Sequence, residues 1–238
     1  MLSRLFFWIS MIILLLFASV LADRKSYVWT YEYHTTPRGE LELENYLDFE
    51  APHWKDKSTS TWKNQIELEY GITRSWDIAL YQVFSQTSSG PYKFSQMKLR
   101  TRYGLGKYGI FGVDPVLYLE YKRPADASAA SVLEGKLILA KDLNKFNLAG
   151  NLTLEKELAS GTEWENEYSW GSSYHFVPAF KAGIEMTGNF ESKEQNRIEL
   201  GPTLSFEGKK FFITTGMLWG LNDTSNDFRF RYILGLEL

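Results

Sequence analysis

From about residue 39 to the end, apolar and polar side chains exchange places every second position, the period of a strand whose two faces meet different surroundings. In the first long segment Leu41, Leu43, Leu47 and Phe49 share one face, and Glu40, Glu42, Glu44, Asp48 and Glu50 share the other. The second sets Trp62, Ile66, Leu68, Tyr70 and Ile72 against Lys63, Gln65, Glu67 and Glu69. The same reading predicts strands near 76–84, 94–103, 115–123, 132–141, 146–155, 164–174, 179–190, 197–206, 211–220 and 228–238. That makes twelve, with ten or fourteen as alternatives if a strand is merged or split.

Turn-forming residues separate the strands in two alternating sets. One set is tight, as at 71–75, 142–145, 175–178 and 207–210, with a somewhat longer member at 104–112. The other set is more polar and mostly longer, at 51–60, 85–93, 124–131, 156–163, 191–196 and 222–227. Short turns at one end and longer loops at the other, with no helical crossover, predict an all-β, up-and-down antiparallel barrel.

Alternation alone does not say which face is inside, because a soluble barrel, for instance a secreted lipid-binding one, alternates too. Three features favour a transmembrane barrel. Aromatic residues cap the apolar face at both strand ends: Tyr70, Trp76, Tyr103, Phe146, Tyr174, Phe180, Phe206 and Phe211 beside the tight turns, and Phe49, Trp62, Phe84, Tyr121, Trp164, Phe190, Trp219 and Phe228 beside the loops. Strands of ~10 residues fit a tilted crossing of a hydrocarbon layer of ~25 Å. Twelve strands also enclose an interior that suits a polar lumen better than a packed core. Composition agrees: aromatics are 16% of the chain, and Trp and Tyr number 8 and 14, as expected of rings at membrane interfaces.

The N-terminus predicts export. Arg4 precedes an apolar run from Leu5 to Leu21, and Val20-Leu21-Ala22 fits a cleavage site. Residues 1–22 are therefore read as a signal peptide, 23–38 as an N-terminal periplasmic segment and 39–238 as the transmembrane barrel. Residues 23–38 leave three placements open: an extra strand, a tail or a constriction. Without Arg4 the chain carries 25 Lys and Arg against 29 acids, too mild a balance to imply nucleic acid as a partner. The absence of cysteine excludes disulfides, thiolate metal sites and a thiol nucleophile.

The last strand alternates Phe228, Phe230, Tyr232, Leu234, Leu236 and Leu238 up to the terminal carboxylate. This resembles the C-terminal signal of bacterial outer-membrane β-barrels, although the final residue is leucine rather than an aromatic. The segment Tyr27-Val28-Trp29-Thr30-Tyr31-Glu32-Tyr33 is followed by Thr36-Pro37-Arg38-Gly39-Glu40-Leu41-Glu42 in a Thr-x-Pro-x-Gly-x-x-Glu element. Together with the turn Tyr70-Gly71-Ile72-Thr73-Arg74-Ser75-Trp76-Asp77, it resembles porin-like barrels linked to phenol-degradation operons. The likeness covers mainly residues 27–84. It implies a Gram-negative outer membrane with both termini periplasmic, outer-membrane lipid and the barrel-assembly machinery as partners, and a transport role. It carries over no binding residue.

If the apolar face meets lipid, the charged face lines the lumen, since a charge turned to lipid costs ~2–4 kcal/mol near the midplane. The candidate lumen residues are Glu40, Glu42, Glu44, Glu67, Glu69, Lys98, Arg100, Arg102, Glu120, Lys122, Lys136, Glu165, Glu167, Arg197, Glu199, Arg229 and Arg231. Barrel closure sets the last strand beside the first, so Arg229 and Arg231 are expected opposite Glu40, Glu42 and Glu44. The function this predicts is a channel for passive passage of small polar or charged solutes. The alternatives are a structural barrel with an occluded lumen and an outer-membrane hydrolase. Catalytic, metal and cofactor sites are not expected. Gly104-Leu105-Gly106-Lys107-Tyr108-Gly109 spells a dinucleotide fingerprint but leads toward another strand instead of a helix. His34, His53 and His175 lie in separate segments. Ser173 and His175 share a strand face near a tight turn, with no nucleophile elbow. Glu165 and Glu167 form a same-face pair of a kind common in polar lumens.

Overall fold

Each predicted alternation becomes a strand. The computed structural model describes residues 25–109, 111–190 and 196–238. Its strands are β1 (Leu41–Ala51), β2 (Thr61–Thr73), β3 (Trp76–Thr87), β4 (Lys93–Gly104), β5 (Asp114–Pro124), β6 (Val132–Leu143), β7 (Phe146–Glu157), β8 (Trp164–Val177), β9 (Phe180–Asn189), β10 (Ile198–Glu207), β11 (Phe211–Gly220) and β12 (Phe228–Glu237). Each is antiparallel to the next, and β12 closes on β1, so the sheet has no free edge. Leu43, for example, stands opposite Leu236 on β12 and Leu68 on β2. The expected signal peptide lies outside the described residues.

One end of the barrel carries the connections 74–75, 105–113, 144–145, 178–179 and 208–210. The other carries 52–60, 88–92, 125–131, 158–163, 190–197 and 221–227. We call these the short-turn and long-loop ends. The first long loop contains a single 3-10 turn, Lys57–Thr59, capped by the Asp56 side chain accepting from the Ser58 N–H. Gly106 and Gly109 of the fingerprint-like run have positive φ (94° and 78°), which is turn chemistry.

The two faces of the sheet are inverted relative to a soluble barrel. Ile66, Leu68, Leu80, Leu99, Leu117, Leu119, Leu152 and Leu154 point outward and are 39–51% exposed. Glu67, Glu69, Asp77, Arg100, Glu120 and Glu185 point inward and are at most 2% exposed. An apolar belt of this extent around a whole barrel is a lipid-facing surface. Aromatic collars bound it: Tyr70, Trp76, Tyr103, Phe146 and Phe206 at the short-turn end, Trp62, Tyr121, Trp164, Phe190 and Trp219 at the other, all exposed.

What apolar core there is lies inside the barrel, around residues 27–33. Val28 packs with Tyr46, Tyr81, Phe212 and Ile233; Tyr27 with Ala140 and Ala149; Tyr31 and Tyr33 against Val116, Tyr118 and Ile138.

Candidate functional site

The interior is divided by the chain's own N-terminal segment. Residues 25–38 enter from the short-turn end, turn at mid-height and return to begin β1. They form no strand; one parallel bridge, Arg38 to Gly71, is their only ladder contact. The return is set by Gly39, whose φ of 81° turns the chain into β1, and by Gly71. A Cβ on Gly71 would lie 2.0 Å from the carbonyl oxygen of Pro37, so only glycine admits the segment this close to the wall.

At the apex, the backbone N–H groups of Val28, Trp29 and Thr30 all donate to the Glu185 carboxylate, at 2.7, 2.8 and 2.9 Å. A carboxylate that collects three backbone donors acts as a strong anchor, because charged acceptors give the stronger hydrogen bonds. Asn151 holds Tyr31 from both sides, accepting from its N–H (2.7 Å) and donating to its carbonyl (2.9 Å). The Tyr27 hydroxyl donates to Asn147 (2.9 Å), and Arg231 donates to the Val28 carbonyl (2.9 Å). Ser205 and Thr214 donate to the Lys25 carbonyl (2.8 and 2.9 Å). The returning arm is held by Asp77, which accepts from the Thr36 N–H (3.1 Å), and by a Thr36 hydroxyl bond to Glu69. Wall glycines make room for the rings: a Cβ on Gly171 would fall 2.5–2.8 Å from the Tyr27 ring, and one on Gly216 would fall 2.6 Å from Val28 and 2.9 Å from Trp29.

Burial raises the Tyr27 hydroxyl's pKa, and Glu32 adds to the effect, so it remains a neutral donor. For Lys25, burial alone would lower the pKa, but Glu44, Glu67 and Glu69 more than reverse this, and the net shift is upward.

Above the segment, toward the long loops, is a cavity of about 360 Å³. Trp29 and Tyr31 of the segment and Tyr46, Tyr81 and Tyr118 of the wall contribute rings to it. Below, at the short-turn mouth, is a smaller cavity of about 140 Å³, lined by Lys25, His34, Glu40, Glu42, Glu44, Glu69 and Arg102 among others.

The candidate charges are interleaved rather than opposed. Arg100 meets Glu67 (3.0 Å) and Glu69 (2.5 Å), and Arg102 meets Glu69 and Asp77. Nearer the long loops the pairs are Lys98–Glu120 (3.4 Å), Lys122–Glu134 (2.8 Å), Lys136–Glu134 (3.1 Å), Arg197–Glu167 (2.7 Å) and Arg229–Glu199 (2.7 Å). Lys136 also sits over the Tyr31 and Tyr118 rings, at 4.6 and 4.7 Å, and the Arg229 guanidinium over Trp29 at 5.4 Å. Glu165 and Glu167 stand exposed at the long-loop rim.

One expected juxtaposition is corrected. Arg229 and Arg231 do not face Glu40, Glu42 and Glu44. They stand opposite Glu50 and Asp48, while Glu42 and Glu44 stand opposite Glu237 and Gly235. Antiparallel neighbours with flush ends pair first residue with last, so the arginines at the start of β12 meet the far end of β1. The acidic run at the start of β1 meets the N-terminal segment instead, through Lys25 and Glu44. The three histidines remain apart, with His34 in the inserted segment beside Tyr33 and Tyr108.

No family model matches the chain, and no curated protein matches it in sequence. Solved structures do match its fold. An outer-membrane channel from Pseudomonas putida F1 aligns with a TM-score of 0.62 over 89% of this chain and 100% of that one, at 11% identity. The KdgM porin aligns at 0.57 over 83% and 99%, with 11% identity. The NanC porin aligns at 0.56 over 83% and 100%, with 9% identity. The architecture is thus that of outer-membrane porin-like barrels.

Proposed function

We propose that this protein is an outer-membrane channel for small polar or charged solutes, constricted by its own N-terminal segment. The observation that carries the reading is the inner wall. Ionised and polar side chains run along it from the long-loop mouth to the short-turn mouth, and the segment dividing it is held by hydrogen bonds, an ion pair and ring packing rather than by strand pairing. A wall that had only to stabilise the barrel could be filled with apolar side chains, whereas a hydrated path needs polar ones. Because acids and bases alternate along it in close pairs, the outer lumen has little net field, and weak ion selectivity follows. The structural likeness to channels and porins supports transport over hydrolysis, as does the resemblance of residues 27–84 to phenol-operon barrels. In this reading the short-turn end faces the periplasm, lipid surrounds the apolar belt and the barrel-assembly machinery inserts the chain.

The occluded structural barrel is the second reading, and the inserted segment is the observation that favours it. Single-channel recording of the refolded full-length protein separates the two. A small, stable conductance is expected. A sealed bilayer, with the protein shown to be folded by heat-modifiable gel migration, would leave the structural reading in its place.

A further inference from the structure

Lys25 of the inner cavity touches Tyr46 of the outer one. Its ammonium lies against the Glu44 carboxylate and 2.7 Å from the Tyr46 hydroxyl. The Tyr46 ring centroid is 5.1 Å from the nitrogen and that of Phe212 is 5.9 Å away. The Tyr46 hydroxyl also reaches Glu67, at 2.8 Å. A carboxylate, a tyrosine oxygen and a ring face around one –NH3+ are the elements that recognise a primary ammonium, through directed N–H donors together with cation–π attraction. Behind them, one oxygen each of Glu44, Glu67 and Glu69 lie within 4.8 Å of one another. The other oxygen of Glu44, Oε1, is buried without a hydrogen-bond donor among the described residues, in a side chain with no exposure at all. The cage therefore has accepting capacity that Lys25 leaves unused.

Its position gives this capacity a consequence. Tyr46 lines the outer cavity, whereas Lys25 and Glu44 line the inner one. A solute moving between the cavities along this wall must pass the place the ammonium holds. We propose that the Glu44–Tyr46–Phe212 cage is a binding site for the primary ammonium group of a solute, and that Lys25 fills it at rest as a built-in competitor. The proposal rests on the channel reading. An incoming ammonium takes over the contacts of Lys25, whose arm of the segment then keeps the hydroxyl bonds from Ser205 and Thr214 to its carbonyl. A quaternary ammonium of equal charge has no N–H to give and does not substitute.

The test uses the full-length folded protein in detergent. Lys25→Met removes the ammonium and keeps the packed stem. Butylammonium chloride is expected to raise the thermal midpoint of this variant by several degrees while leaving the wild type, whose cage is filled, essentially unmoved. Tetramethylammonium and magnesium chlorides at equal ionic strength should do neither. Adding Glu44→Gln should abolish the butylammonium response. Equal shifts from butylammonium and either comparison salt, or a response that survives Glu44→Gln, would overturn the proposal. If Lys25→Met does not fold, Lys25→Ala serves, with methylammonium as the probe. A thermal response in a protein that passes no current would sink the channel reading and leave the site standing. Current without the response would do the reverse.

Discussion

The short-turn half of the interior is filled and the long-loop half is open, although the same twelve strands wall both. Part of the filled half's wall carries paired charges, Arg100 and Arg102 with Glu67, Glu69 and Asp77, but where the segment lies it presents small inward residues: Ala79, Ala140, Ala149, Gly171, Ser205, Thr214 and Gly216. The open half presents long charged ones that pair with each other, such as Lys98 with Glu120, Lys122 with Glu134 and Arg229 with Glu199. Small polar wall residues leave room for a second layer of backbone and supply its hydrogen bonds. Paired long side chains satisfy one another and leave a cavity between them. The division of the lumen is thus written in where small inward side chains cluster, not in the barrel's strand number.

The most direct way to break this contrast is to delete residues 25–36, which should merge the two cavities. Single-channel conductance should rise several-fold while the barrel, closed by its own ladder, keeps its heat-modifiable migration. An unchanged conductance would mean that ions do not travel through the lumen. A smaller effect in the same direction is expected from Glu185→Ala. It leaves three apex N–H groups without their acceptor, at about 1–3 kcal/mol for each that stays buried. The segment should escape that cost by leaving its seat part of the time, seen as current flickering between a low and a high level. A steady wild-type current would show that Glu185 is not the anchor. In the open half, Arg229→Met should leave the segment on its Glu185 anchor and leave the Glu199 charge without its cationic partner, still bonded to Asn226 and Thr187. The reversal potential in a salt gradient should move modestly toward cation preference, with conductance nearly unchanged. A large conductance change there would erase the distinction between the halves.

The strands were legible because alternation is a local signal repeated twelve times, and one wrong register would have turned leucines such as Leu68 and Leu152 away from lipid. The inward placement of the candidate charges follows from the same alternation. What the sequence did not disclose was how they pair across strands. Pairing depends on register, and the misplaced partners of Arg229 and Arg231 came from setting the start of the last strand beside the start of the first. The inserted segment was legible only as an unassigned stretch, since Tyr27, Trp29, Tyr31 and Tyr33 alternate as in a strand while residues 25–38 form none. A signal was nevertheless present. Gly171 and Gly216 occupy inward positions in the interiors of β8 and β11, and an inward glycine inside a strand marks a close approach by other atoms. The approaching atoms belong to Tyr27, Val28 and Trp29, in an aromatic-rich run too apolar to suit a free tail.

The subtlest test concerns pH, and it isolates the seat of the segment from the rest of the lumen. Burial works against a charged Lys25, but the carboxylates around it outweigh burial, so its folded pKa lies above the ordinary lysine value of about 10.4. A raised pKa means that the stabilisation is fully present below the unfolded value and is lost only as pH climbs through the higher folded one. On the alkaline side of neutrality the thermal midpoints of the wild type and Lys25→Met should therefore stay apart through about pH 9, with the wild type higher. They should converge only under strongly alkaline conditions. A margin that closed between neutrality and about pH 9 as pH is raised would mean that the Lys25 ammonium is not held by the Glu44 cluster, and the filled half would then owe its order to the Glu185 anchor and the wall hydroxyls alone.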